Sequence, residues 1–244
     1  MSQNFVISQF RTNEKILRKL GASELIYDYE LTNKCHILVA SMRFTSKFDF
    51  FMDTKLVESS LHAWKLLNPF LRAKIVAQGH RATQQDVFFA SDRYFLLSTE
   101  KTPGLDNVGF YRAEYDRDAI TDKQLAFFAR LLYEREFNND PFDQTDELLW
   151  RLIFVELKRD HKTKEFSYLL TFNVHHGITD ANNVFAILCQ LLKIMEDMLF
   201  DKVSLNSITP VNSVLPAIES MLVKEDARLL GKILPPLNQV CLVF

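Results

Sequence analysis

Two apolar runs, Leu149 to Leu157 and Phe166 to Val174, flank a charged turn from Lys158 to Lys164 and lead within a few residues into a long amphipathic segment. The runs read as strands, and the short charged turn between them predicts an antiparallel hairpin. From Ala181 to Phe200, the residues Val184, Ile187, Leu188, Leu191, Leu192, Met195 and Leu199 recur at helical spacing. They form one apolar face, and Asp180 stands where an N-cap belongs. A hairpin followed by a helix with one greasy face must bury sheet against helix, which restricts the chain to a layered fold.

The remaining elements are weaker. Lys15 to Leu20 reads as a short helix, and Cys35 to Phe44 as a buried strand. Asp53 and Thr54 offer N-caps for a helix with Leu56, Leu61, Trp64 and Leu67 on its apolar face, ending near Pro69. Leu71 to Val76 is a short strand, and Gln85 to Ser91 with Tyr94 to Ser98 suggests a hairpin turning at Asp92-Arg93. Thr102 to Arg117 opens on Pro103-Gly104 and reads as a loop with irregular pairing. Thr121 and Gln124 have the spacing of a capping box for a helix running to about Phe137, which the Asn138-Asn139-Asp140-Pro141 breaker ends. A polar stretch from Asp201 to Ser213 precedes a last helix from Ala217 to Leu230. Strands and helices mix without strict alternation, so the expected class is α/β, in the form of a mixed α+β two-layer sandwich.

Composition removes several function classes. With 244 residues, 48% hydrophobic and 25% charged, the chain can build a real core and is neither disordered nor fibrous. A net charge of -2 gives no long-range attraction for nucleic acid or anionic membrane. Only 6 Gly are present, and neither G-x-G-x-x-G nor G-x-x-x-x-G-K-[ST] occurs, against a nucleotide-phosphate loop of either kind. Cys35, Cys189 and Cys241 are odd in number and lack C-x-x-C spacing, so no disulfide framework and no zinc site is expected. The N-terminus lacks a signal-peptide pattern, and no apolar run is long enough for a transmembrane segment. The expected compartment is reducing, the cytoplasm.

One constellation carries chemistry. In Phe172-Asn173-Val174-His175-His176-Gly177-Ile178-Thr179-Asp180, two histidines and an aspartate lie on a short loop between a strand and a helix. Rigid flanking elements make such loops common sites of catalysis. Histidine titrates near neutrality and can take a proton from an alcohol, amine or thiol. A plainer alternative has Asp180 only capping the helix and the histidines merely ending a strand. A metal site is a third reading, but no further ligand cluster is nearby.

The segment His175-His176-Gly177-Ile178-Thr179-Asp180 resembles the HHxxxDG motif of chloramphenicol-acetyltransferase-like acyltransferases, which include condensation domains and alcohol acetyltransferases. Three further segments are similar to that superfamily in the same order. They are Cys35 to Phe44 with the helix end Leu67-Asn68-Pro69-Phe70-Leu71-Arg72, then Pro141-Phe142-Asp143 with Leu148-Leu149-Trp150-Arg151-Leu152, and finally Ser213-Val214-Leu215-Pro216. The matches cover roughly residues 20 to 220. The resemblance implies a chloramphenicol-acetyltransferase-like half-domain over 1–205, with 206–244 opening the crossover to a second half. It implies acyl transfer from an acyl-CoA or carrier-protein thioester to an alcohol or amine, with no bound cofactor. His176 would be the general base, Asp180 and Gly177 would shape the loop, and His175 would orient its neighbour. No covalent acyl-enzyme is implied.

Two departures accompany the resemblance. Ala181 stands where the motif usually ends in Gly, a change an αR position tolerates. The DFGWG motif of the second half is absent from these 244 residues, so the tunnel wall that half supplies would come from a continuation of a truncated chain, a separate second half-domain or a second copy of this chain. A rival assignment is therefore an inactive half-domain that binds acyl ligands or a partner through an exposed apolar face. The N-H-x-x-x-x-D motif of glycerolipid acyltransferases shares the His175 to Asp180 spacing, but Val174 replaces its Asn. Cys241-Leu242-Val243-Phe244 also fits a C-a-a-X prenylation pattern at Cys241.

Overall fold

In a computed structural model the chain is described over residues 14–21, 24–25, 28, 37–78, 92–98, 105, 107–112, 121–138, 148–160, 165–180 and 183–214. Among these residues, seven strands and three α-helices run in the order β1 (Glu14–Lys19), β2 (Ile37–Ser46), α1 (Thr54–Leu67), a 3-10 turn (Pro69–Arg72), β3 (Ala73–Gln78), β4 (Asp92–Ser98), β5 (Val108–Arg112), α2 (Asp122–Asn138), β6 (Trp150–Asp160), β7 (Glu165–His175), α3 (Asn183–Leu199) and a 3-10 turn (Leu205–Ser207). The larger sheet has the order β2-β7-β6-β5, and the smaller β1-β4-β3. The β6–β7 pair is the expected hairpin, with Trp150 opposite Val174 and Asp160 opposite Glu165. β2 lies antiparallel along the other side of β7, and β5 pairs parallel with β6.

The side-chain period of two sorts β7 into two faces. Tyr168, Leu170, Phe172 and Val174 join the core beneath α1 and α3, which includes Val57, Leu61, Trp64, Val184, Leu188, Leu191 and Met195. Leu169 instead meets Leu132 of α2 together with Ile153, Val155 and Leu157 of β6. Helices therefore cover both faces of the larger sheet, and the mixed α/β sandwich is observed. Two tryptophans tie its layers. Trp64 and Trp150 meet edge-on with centroids 5.5 Å apart. The Trp64 indole donates to the Ile187 carbonyl at 2.9 Å and that of Trp150 to the Leu71 carbonyl at 2.8 Å, so neither buried N–H is orphaned.

Local capping matches expectation. Asp53 accepts the Leu56 N–H at 3.0 Å. Thr121 N–H donates to Gln124 Oε1 at 2.9 Å, and Gln124 N–H to Thr121 Oγ1 at 3.3 Å, a reciprocal capping box.

Three local expectations fail. Lys15 to Leu20 does not form a helix, because β1 pairs antiparallel with β4. There Arg18 is held by Glu24 in a two-pronged contact at 2.6 Å and lies over the rings of Phe70 and Phe95. Asp92-Arg93 is not a turn but the start of β4, and Arg93 reaches the buried Asp28 at 2.6 Å. Within the loop of irregular pairing expected over Thr102 to Arg117, Val108–Arg112 is a regular strand, because it pairs parallel with β6. The Gln85 to Ser91 strand, Pro141-Phe142-Asp143 and the helix from Ala217 to Leu230 lie outside the described residues, as do Cys35, Ala181 and Cys241.

Candidate active site

β7 is flanked by β2 and β6, so its C-terminal end is held from both sides. The His175 N–H donates to the Leu149 carbonyl at 2.9 Å, which keeps this residue in the ladder. The chain then turns at once. His175 is fully buried, and its Nδ1 accepts the Gly177 N–H at 2.9 Å. An Nδ1 that accepts carries no proton, so the ring is the neutral Nε2–H tautomer. The turn is closed by the Ile178 N–H donating to the His175 carbonyl at 3.1 Å.

Gly177 is required by space. A Cβ at this position would lie 2.9 Å from His175 Nδ1 and 3.0 Å from Cε1. His176, next to this packed pair, is half-buried at the turn. The motif thus gives its two histidines different settings, one sealed and hydrogen-bonded to the turn and one partly open to solvent.

Asp180 caps α3. Its Oδ1 accepts the Asn183 N–H at 2.8 Å and its Oδ2 the Asn183 side-chain amide at 3.0 Å, while its carbonyl oxygen accepts the Val184 N–H at 3.0 Å. The carboxylate also complements the positive end of the helix. Its side chain lies on the exposed side of the turn.

Beside the turn, an open hollow of about 450 Å³ is lined by Phe70, Ile178, Thr179, Asn183, Ile187 and Gln190, among others. A smaller one of about 60 Å³ adjoins it under Pro69 and Val174. His176 lines neither. The 3-10 turn is braced here by Asn68, whose amide donates to Gln190 Oε1 at 2.7 Å and to the Trp64 carbonyl at 2.9 Å.

Two features escape a reading of the sequence. Arg72 is buried and donates to the carbonyls of Lys65 and Val211 and to Asn212 Oδ1, pinning the segment after α3 to the end of α1. Burial lowers its pKa from the usual arginine value. Glu136 of α2 is buried and accepts from the Asn173 amide at 3.2 Å, on the sheet face opposite the hollow. In the sequence Arg72 is signalled only as the last residue of the motif-like segment Leu67 to Arg72, and Glu136 only by standing just before the Asn138 to Pro141 breaker. Among the described residues, no group of three or more His, Cys, Asp or Glu could hold a metal ion, and no helix is long and apolar enough to cross a membrane.

No protein-family model and no curated protein matches the chain. Solved structures do. The starter condensation domain of rhizomide synthetase RzmA aligns at a TM-score of 0.52 and 12% identity, over 86% of this chain and 45% of that one. The condensation domain of the Monacolin K polyketide synthase MokA aligns at 0.51 and 13%, over 90% and 41%. The tallysomycin biosynthesis protein TlmII aligns at 0.52 and 14%, over 75% and 38%. The chain has the condensation-domain, chloramphenicol-acetyltransferase-like fold, and it spans less than half the length of these structures.

Proposed function

We propose that the chain is the first half of an acyltransferase, covering 1–205, with 206–244 leading into the crossover. It would transfer an acyl group from an acyl-CoA or carrier-protein thioester to an alcohol or amine. One observation supports this most directly. The His-His-Gly turn stands at the end of the central strand of a condensation-type fold, with its first histidine sealed and its second half-open.

In this reading His176 removes the proton from the acceptor hydroxyl or amine as that atom attacks the thioester carbonyl. The carbon–sulfur bond breaks, and the thiolate leaves with a proton. General-base help of this kind is worth about 10²–10⁴ in rate. His175 and Gly177 hold the turn, and Asp180 fixes the start of α3. The half-open side of the turn at His176 is one wall of a substrate tunnel whose other wall comes from a second half-domain or a second copy. An enclosed site orients both substrates and excludes water, which supplies much of the rate in such reactions.

The test is an acyl-transfer assay on the protein, alone and with a condensation-type second half-domain, using acyl-CoA and carrier thioesters with alcohol and amine acceptors. Turnover should require either the second half-domain or self-association of the chain, and His176→Ala should reduce it by about 10²–10⁴ with the fold intact. Near-wild-type turnover by His176→Ala would sink the mechanism. Because the chain spans less than half of its structural relatives, a second reading has it as a binding half-domain without turnover. Saturable acyl-CoA binding with no transfer in either format would establish that reading instead.

A further inference from the structure

The carboxylate of Glu136 is almost wholly buried, on the sheet face opposite the hollow. Three elements converge on it. The Asn173 amide of β7 donates to its Oε2 at 3.2 Å and to its carbonyl oxygen at 3.4 Å. Arg151 of β6 stands 3.9 Å from Oε2, and Arg135 of α2 stands 3.7 Å from Oε1. Both guanidiniums keep considerable exposure, 35% and 51%, whereas Asn173 is completely buried. Ion pairs whose cations are this exposed are weak support for stability, since solvent screens them. The position of Glu136 is more informative than its charge.

Asn173 and His175 point to the same face of β7, two residues or about 7 Å apart along the strand. Asn173 is bound from the α2 side by Glu136, while the His175 ring is bound from the turn side by the Gly177 N–H. We propose that Glu136 is a positioning residue that, through Asn173, holds the last residues of β7 so that His175 Nδ1 stays on the Gly177 N–H and the His175-His176 turn keeps its shape. The catalytic importance of that turn rests on the acyl-transfer reading above; the positioning itself does not.

The test is nitrogen-15 NMR of the imidazoles at neutral pH together with amide exchange at Gly177, on the full chain. In Glu136→Ala the His175 ring should lose its pure Nε2–H signature, and Gly177 should exchange about tenfold faster, the factor expected from losing roughly one net hydrogen bond. Glu136→Gln, whose amide oxygen can still accept from Asn173, should restore both. Leu132→Ala removes packing from the same face of α2 and should leave the ring signature as in the wild type. If Glu136→Ala does not fold, Asn173→Ala is read in its place with the same expectation. A folded variant lacking the Glu136–Asn173 bond but keeping the tautomer and the Gly177 protection overturns the proposal. So does a Leu132→Ala protein that loses them equally. No substrate enters these measurements, so failure of acyl transfer leaves this result standing, and the converse also holds.

Discussion

Gly177 donates its backbone N–H to His175 Nδ1 at 2.9 Å, and a Cβ on Gly177 would lie 2.9 Å from that same nitrogen. The hydrogen bond and the missing side chain are one requirement, because the approach that makes the bond leaves no room for a methyl group. Gly177→Ala should therefore break the bond or push the ring out of its buried seat. We expect a loss of about 1–3 kcal/mol, the range for a buried polar group left without its partner. Urea denaturation measures it, and a change within error would show that the turn is more compliant than its packing implies.

Asp180 lets the cap hydrogen bonds be weighed against charge at the start of α3. Asp180→Ala removes both cap contacts to Asn183 and should destabilise by about 1 kcal/mol. Asp180→Asn keeps a cap oxygen and should lose only a few tenths. Thermal melts of the two variants decide between these values, and equal losses would show that charge rather than the cap hydrogen bond matters here.

The buried Asp28 predicts a pH dependence. Burial pushes its carboxyl from 3.8 up to about 6, against the opposing pull of Arg93 at 2.6 Å. The folded state thus holds this proton more tightly than the unfolded state. The stabilisation from the protonated form is complete below the unfolded pKa and is lost as pH rises through about 6. Relative to Asp28→Asn, the wild type should lose roughly 2–3 kcal/mol between about pH 4 and pH 7, since each tenfold gain in proton affinity on folding is worth about 1.4 kcal/mol. Denaturation curves of both proteins across that range test it, and parallel curves would rule it out.

Arg72 offers a fourth test. Its guanidinium serves acceptors on α1 and on the segment after α3, and the Val211 N–H returns a bond to the Leu66 carbonyl at 2.8 Å. Arg72→Met should free residues 208–214 for limited proteolysis, and Arg72→Lys should not rescue them, because an ammonium cannot span this fan of acceptors. Unchanged cleavage in Arg72→Met would show that the Val211–Leu66 bond suffices.

What could be read from the sequence was local, and what could not was long-range. The capping box at Thr121 and Gln124 and the apolar face of α3 are set by residues three or four apart, so their spacing announces them. The same spacing rule misreads β1, where Ile16, Leu17 and Leu20 imitate a helical stripe. Pairing with β4 overrides that local preference. Asp92-Arg93 looks like a turn because the strand residues it pairs with, Gln78 and Ala77 of β3, lie outside the local window. The candidate site divides likewise. Its motif residues were legible because they are contiguous, whereas Glu136 and Arg72 matter only through partners on other elements.

The β2–β7 pairing bears on how the chain comes together during its own synthesis. Ser41 and Thr171 share a side-chain hydrogen bond across 130 residues of sequence. At ribosomal rates of about 5–20 residues per second, β2 emerges roughly 7–26 s before its partner exists. A helix forms in about a microsecond, so α1 can be complete while its sheet is still absent. For that interval the apolar side chains of β2 have no native strand to lie against. The two histidines reach their final geometry only when β7 closes this gap, so the candidate site cannot form until well after β2 and α1 have left the ribosome.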